Sequence, residues 1–139
     1  MVLGVKPYLI TTVCEEISSA VNVDGKLFVS IAAGTTLEQI QNALGKDTAG
    51  NSIPVVRTMP NTPSQLGLGA SGAFASKEVT AAQKQNANEL MQAVGKVKWL
   101  TTEVQINDII SAFIRASWLK PVWVICLLNL TKYSSLTEF

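Results

Sequence analysis

The chain has 139 residues, 47% of them hydrophobic, and eleven Lys and Arg against ten Asp and Glu leave a formal charge of +1. That length and apolar content suit one compact domain. The balanced charge argues against nucleic-acid binding, which needs clustered cations to displace phosphate counterions. With no histidine in the chain, every Ser–His or Cys–His catalytic pair is excluded, and Cys14 and Cys126 have no imidazole with which to complete a zinc site. Two cysteines make no disulfide framework, so both thiols read as small apolar packing groups in a reducing, cytoplasmic setting. The opening Met-Val-Leu-Gly-Val-Lys-Pro lacks the basic and apolar regions of a signal peptide.

In chain order, Val2 to Val5 is a short strand stopped by Lys6-Pro7, and Pro7 suits the first position of a helix. Ile10, Val13, Cys14, Ile17, Ala20 and Val21 recur at spacings of three and four, which predicts one buried helical stripe. Leu27 to Ile31 reads as a strand covered on both faces. Thr36 and Gln39 form a capping box, Leu37, Ile40 and Leu44 give the apolar face of the helix behind it, and Gly45 is placed to end that helix in a left-handed conformation. Pro54 to Met59 is a third strand, and Gly69 to Ser76 a fourth, looser one. Thr80 and Gln83 offer a second capping box, with Ala87, Leu90, Met91 and Val94 predicted on the inner face and Gly95 as the stop. Val97 to Leu100 is a last strand, with Lys96 and Lys98 on its exposed side. This alternation predicts an α/β fold, an incomplete Rossmann-like and largely parallel sheet with covering helices.

From about Asn107 the apolar residues crowd without a period, and Pro121 breaks any helix through them. Residues 1–106 therefore read as a partial dinucleotide-binding domain and 107–139 as an atypical tail. The unbroken apolar run Val122 to Leu128 falls far short of the roughly 20 residues of a spanning helix, so membrane association is not expected.

Gly67-Leu68-Gly69-Ala70-Ser71-Gly72 matches G-x-G-x-x-G but sits in the wrong place. A dinucleotide fingerprint follows a strand and opens a helix, so that backbone amides meet the pyrophosphate. This one leads into an extended Ala-Phe-Ala and reads as a small-residue segment.

Three other stretches follow strands in turn: Val5-Lys6-Pro7, Ser30-Ile31-Ala32-Ala33-Gly34, and Arg57-Thr58-Met59-Pro60-Asn61-Thr62-Pro63. In a parallel sheet their ends share one edge, where such folds bind ligands. Small residues at Ala32 to Gly34 would let a flat ring approach the backbone, and the Asn61 amide could meet a carboxamide or carboxylate. Singly, each has a structural explanation: a solvated lysine, tight packing, a turn asparagine.

The series, with its order and spacing, resembles the pyrroline-5-carboxylate reductase family, from Met1 to about Ala112. Met59-Pro60-Asn61-Thr62-Pro63 is the most specific piece, and Ala93 to Val97 agrees with a later Val-Gly-x-Val region. The resemblance implies reduction of 1-pyrroline-5-carboxylate to proline with NADPH or NADH. It further implies that Val5, Lys6 and Ala33 touch the cofactor and that Asn61 lies beside the nicotinamide. Gly4 stands where the family has Ala. The family's glycine-rich pyrophosphate turn and ribose-reading segment have no counterpart here. Asp108 to Ala112 still tracks the family, but the expected Ser-Gly-Ser-Gly-Pro-Ala-Tyr and helical dimerisation domain give way to Phe113 to Trp118, which points to a shifted reading frame or a misplaced splice. The catalytic residues of an oligomeric family whose substrate site lies largely on that helical domain are therefore not assigned. The alternative is a non-catalytic product that associates with full-length subunits or aggregates through an open sheet edge and an apolar tail.

Overall fold

A computed structural model of the chain describes residues 1–60 and 69–109. Asn61, Cys126 and most of the apolar tail lie outside the described residues. Strand β1 (Val2–Leu3) leads through a 3-10 turn (Pro7–Leu9) into helix α1 (Ile10–Ala20), followed by β2 (Phe28–Ser30) and α2 (Leu37–Leu44). Then come β3 (Val55–Pro60), β4 (Gly69–Ala75), α3 (Ala81–Gln92) and β5 (Gly95–Trp99), with residues 104–109 again helical.

The strands form one five-stranded sheet in sequence order. β1, β2 and β3 run parallel, β4 is antiparallel to β3, and β5 is parallel to β4. The helical crossovers α1 and α2 allow the first three strands to run the same way. The stretch 61–68 is shorter than the dozen or so residues a parallel crossover needs, so β4 returns antiparallel.

Alternate residues of each strand supply the two faces. Leu3, Phe28 and Val55 meet Ile10 and Cys14 of α1 and Leu37, Ile40 and Leu44 of α2 in the larger core. Val29 and Val56 face the other way, against Ala87 of α3. The sheet is thus covered on both sides, as its apolar strands predict.

Both capping boxes form. The Thr36 hydroxyl accepts the Gln39 amide at 3.2 Å while the Gln39 side chain accepts the Thr36 amide at 2.9 Å. Thr80 and Gln83 repeat the exchange at 3.2 and 3.0 Å. Gly45 does end α2, with a φ of 76° and a ψ of −146°, so its backbone is positive in φ but outside the left-handed helical well.

Several expectations need correction. Leu90 is not an inner residue of α3: it is 47% exposed, whereas Ala87 and Met91 are buried. It overlooks a hollow of about 410 Å³ lined with Met1, Val2, Leu27, Val29 and Ala87, where no described strand lies beyond β1. α3 stops at Gln92, and Gly95 opens β5 instead of ending the helix. At the end of α1, Val21 is 45% exposed, so the buried stripe fades after Ile17. Gly69 to Gly72 lie in β4, in keeping with a small-residue segment. A Cβ on Gly72 would sit 2.5 Å from Ile109 Cδ1 and 3.3 Å from Leu100 Cδ1. Its bareness therefore serves close packing of the 104–109 helix on the sheet.

Candidate functional site

The register of the sheet decides which loops become neighbours. Leu3 lies opposite Ser30, and Ser30 opposite Arg57. The Ile31 amide donates to the Leu3 carbonyl at 3.2 Å, carrying the pairing one step past β2. Gly4 to Lys6 and Ala32 to Gly34 therefore leave the sheet, and Met59-Pro60 end β3, on the same edge, at the carboxyl ends of three adjacent parallel strands.

Buried hydroxyls hold this bend. Ser30 Oγ accepts the Ala32 amide at 3.3 Å, and Thr58 Oγ1 donates to the Ser30 carbonyl at 3.3 Å. Beyond it Ala33 is half-buried, and Gly34 turns at a φ of 75°, a conformation L side chains rarely adopt. On the β1 side Val5 is half-buried and packs on the larger core. Lys6 is exposed, with its ammonium 6.0 Å from the Tyr8 ring centroid, the outer limit of a cation–π contact. No acidic residue occupies the first turn behind Pro7, so the positive end of that helix and the Lys6 charge stand together. Val5, Lys6 and Ala33 are thus brought to one rim. Asn61 follows Pro60 on that edge in sequence, but its own position lies outside the described residues.

Arg57 and Glu103 were not singled out as functional from the sequence. Arg57 is 2% exposed, and its Nη1 donates to Glu103 Oε1 at 2.5 Å. The same oxygen accepts the Leu37 amide, the first of α2, at 2.7 Å. Arg57 Nε has no partner among the described residues. An arginine inside an otherwise apolar strand was a visible signal, since a buried cation needs a counter-charge. Nothing local marks Glu103, 46 residues away.

The other surface features lie apart from the rim. A hollow of about 450 Å³ is lined by Asn22, Asp24, Lys46, Asp47 and Thr48, at the amino ends of β2 and β3. There the Thr48 hydroxyl and amide, bonded to the Asp24 carboxylate, hold its pKa below the usual range. Burial raises the Cys14 thiol, with the neighbouring Glu15 charge adding to it. Among the described residues no cluster of His, Cys, Asp or Glu suits a metal, and no helix is long and apolar enough to cross a membrane.

A mostly parallel sheet with helices on both faces, its small-residue loops gathered at the carboxyl strand ends, defines a Rossmann-like α/β fold. No family model matches the chain. The chain is 46% identical over 112 residues to a pyrroline-5-carboxylate reductase of Vibrio alginolyticus and 42% over 109 residues to one of Pseudomonas aeruginosa. These matches cover 81% and 78% of the chain but 39% and 38% of those proteins. Among solved structures, a pyrroline-5-carboxylate reductase from Coxiella burnetii superposes with a TM-score of 0.73 at 34% identity, covering 99% of the chain and 48% of its own. The Plasmodium falciparum pyrroline carboxylate reductase with NADP bound gives 0.61 at 25% identity, over 72% and 37%. The matched stretch belongs to the pyrroline-5-carboxylate reductase family, and the chain spans less than half the length of these relatives.

Proposed function

We propose that the rim formed by Val5, Lys6 and Ala33, with Asn61 beside it, is the nicotinamide side of a dinucleotide site. In this reading the chain supplies part of a pyrroline-5-carboxylate reductase, which reduces 1-pyrroline-5-carboxylate to proline with NADPH or NADH, and its own activity is impaired. The observation that carries it is the convergence of Val5-Lys6 and Ala32-Ala33-Gly34 at adjacent parallel strand ends.

The residues present fit such a group. Val5 and Ala33 offer small, half-buried apolar support for a flat ring, and the turn at Gly34 leaves backbone accessible. Lys6 and the helix start behind it supply positive charge for a phosphorylated ligand. When bound, the dihydronicotinamide supplies the hydride that the imine carbon accepts, while a proton goes to the imine nitrogen. No protein nucleophile is needed. The chain's part is placement and exclusion of water from the reacting carbons. Residues 1–106 are assigned here to the dinucleotide-binding part, and the helix of residues 104–109 runs across that boundary.

Purified chain is mixed with NADPH and 1-pyrroline-5-carboxylate, and NADPH oxidation is followed together with proline formed. NADPH binding with slow turnover, one proline per NADPH consumed, is the expected result. Chain that neither binds NADPH nor oxidises it contradicts the reading.

A second reading is favoured by one observation. Met1, Val2 and Leu90 are 47–55% exposed around the hollow beside β1, and among the described residues β1 pairs with β2 alone. An open edge flanked by apolar side chains suits a non-catalytic chain that docks on full-length subunits or self-associates. Sedimentation of the chain with and without a full-length reductase separates the two readings.

A further inference from the structure

The Arg57–Glu103 pair joins three segments that are far apart in sequence. Arg57 lies on β3, three residues before Pro60, where the strand ends and the segment holding Asn61 begins. Leu37 opens α2, directly after the loop that carries Ala33 and Gly34. Glu103 comes from the turn behind β5. One carboxylate oxygen bonds to the other two segments, at 2.5 and 2.7 Å.

We propose that Glu103 is a positioning residue: it clamps the start of α2 to β3 and so fixes the spacing between the Ala33-Gly34 loop of the cofactor rim and the end of β3. Its bearing on the cofactor rests on the function proposed above.

Three observations support the clamp. The Thr36 capping box supplies partners for the Thr36 and Gln39 amides but leaves the Leu37 amide to Glu103, so the carboxylate completes the helix start from outside. Its charge complements the positive end of α2. Arg57 is buried, and the Glu103 carboxylate is its one ion-pair partner among the described residues, so the side chain has a single charged anchor. The Glu103 side chain is itself 29% exposed. A packing residue would be covered, whereas this one reaches inward from the surface to its two donors.

The test uses the full chain in two variants. Glu103→Gln retains an oxygen for the Leu37 amide but strands the Arg57 charge, which destabilises the fold. The double variant Arg57→Met with Glu103→Gln removes both charges together, so the fold is retained while the tie to β3 is cut. Amide hydrogen exchange of residues 33–37 is compared with that of β2 and α1, and NADPH affinity is measured on the same samples. In the double variant, exchange at 33–37 is expected to quicken at least tenfold with β2 and α1 unchanged, and NADPH binding to weaken about tenfold. Unchanged exchange at 33–37 overturns the clamp. Quickened exchange with NADPH affinity within twofold of the parent chain overturns its positioning role. Parent chain that binds no NADPH overturns the cofactor role and the function proposed above. In that case the exchange result alone decides whether the clamp exists.

Discussion

Leu3 and Ser30 lie side by side on parallel strands, and the amide just past Ser30 donates to the carbonyl of Leu3. That one register places Val5 and Ala33 on a common edge. A slip by one residue would turn every β1 side chain to the opposite face, exposing Leu3 and burying Val2.

Gly4 stands at this junction with no positive φ, and a Cβ there would lie 3.8 Å from Ile31 Cδ1. That is an ordinary contact. Gly4→Ala, the residue usual in the family, is expected to stabilise the chain by about 0.4–1 kcal/mol by restricting the unfolded state. Urea unfolding at constant m-value measures it, and a loss of stability would contradict the geometry.

Gly72 is the opposite case. Gly72→Ala brings a methyl against Ile109 Cδ1, the far end of a side chain that can turn aside, so overpacking there costs about 1 kcal/mol, the low end of its usual range. NADPH affinity should stay unchanged, because this glycine packs a helix on the sheet and meets no pyrophosphate. Weaker NADPH binding at unchanged stability would revive the G-x-G-x-x-G stretch as a cofactor loop.

The Asp24 carboxyl is held low first by the Thr48 side chain and then by the Thr48 amide. A group with a depressed folded pKa adds stability above its unfolded value and loses that contribution as the pH falls through the folded one. Thr48→Val should raise the Asp24 midpoint towards the usual carboxylate range in an NMR pH titration. It should also flatten the fall in stability over that acid window. An unmoved midpoint would contradict the assignment.

Cys14 is fully buried, and burial disfavours its thiolate, the form that reacts. In a Cys126→Ser background, thiol labelling of native chain should run on the order of 100-fold or more slower than in denaturant, since it requires opening of the core. Comparable rates would place Cys14 at the surface.

Much of this architecture was legible because it rests on local chemistry. Both capping boxes, the proline helix start, the strands on either side of α2 and the buried Cys14 follow from residues a few positions apart. The rim followed from a rule about parallel strands applied to three short motifs. The antiparallel return of β4 was implicit in the shortness of 61–68. Leu90 misled because its helical spacing is that of a core residue, whereas the strand it overlooks is the edge of the described sheet. Gly95 misled because glycine opens this strand instead of closing α3. The Glu103 tie to Arg57 and Leu37 was not legible, because a contact so distant in sequence exists only once the fold brings it together.

The most direct test is an NMR titration of the full, isotope-labelled chain with NADPH. The amides of Val5, Lys6, Ala33 and Asn61 should shift together along one saturation curve, while Asn22 to Thr48 outside the rim and Gly72 stay still. Shifts centred on the Asp24–Thr48 hollow, or saturation with the four rim amides unmoved, would contradict a dinucleotide site at these strand ends.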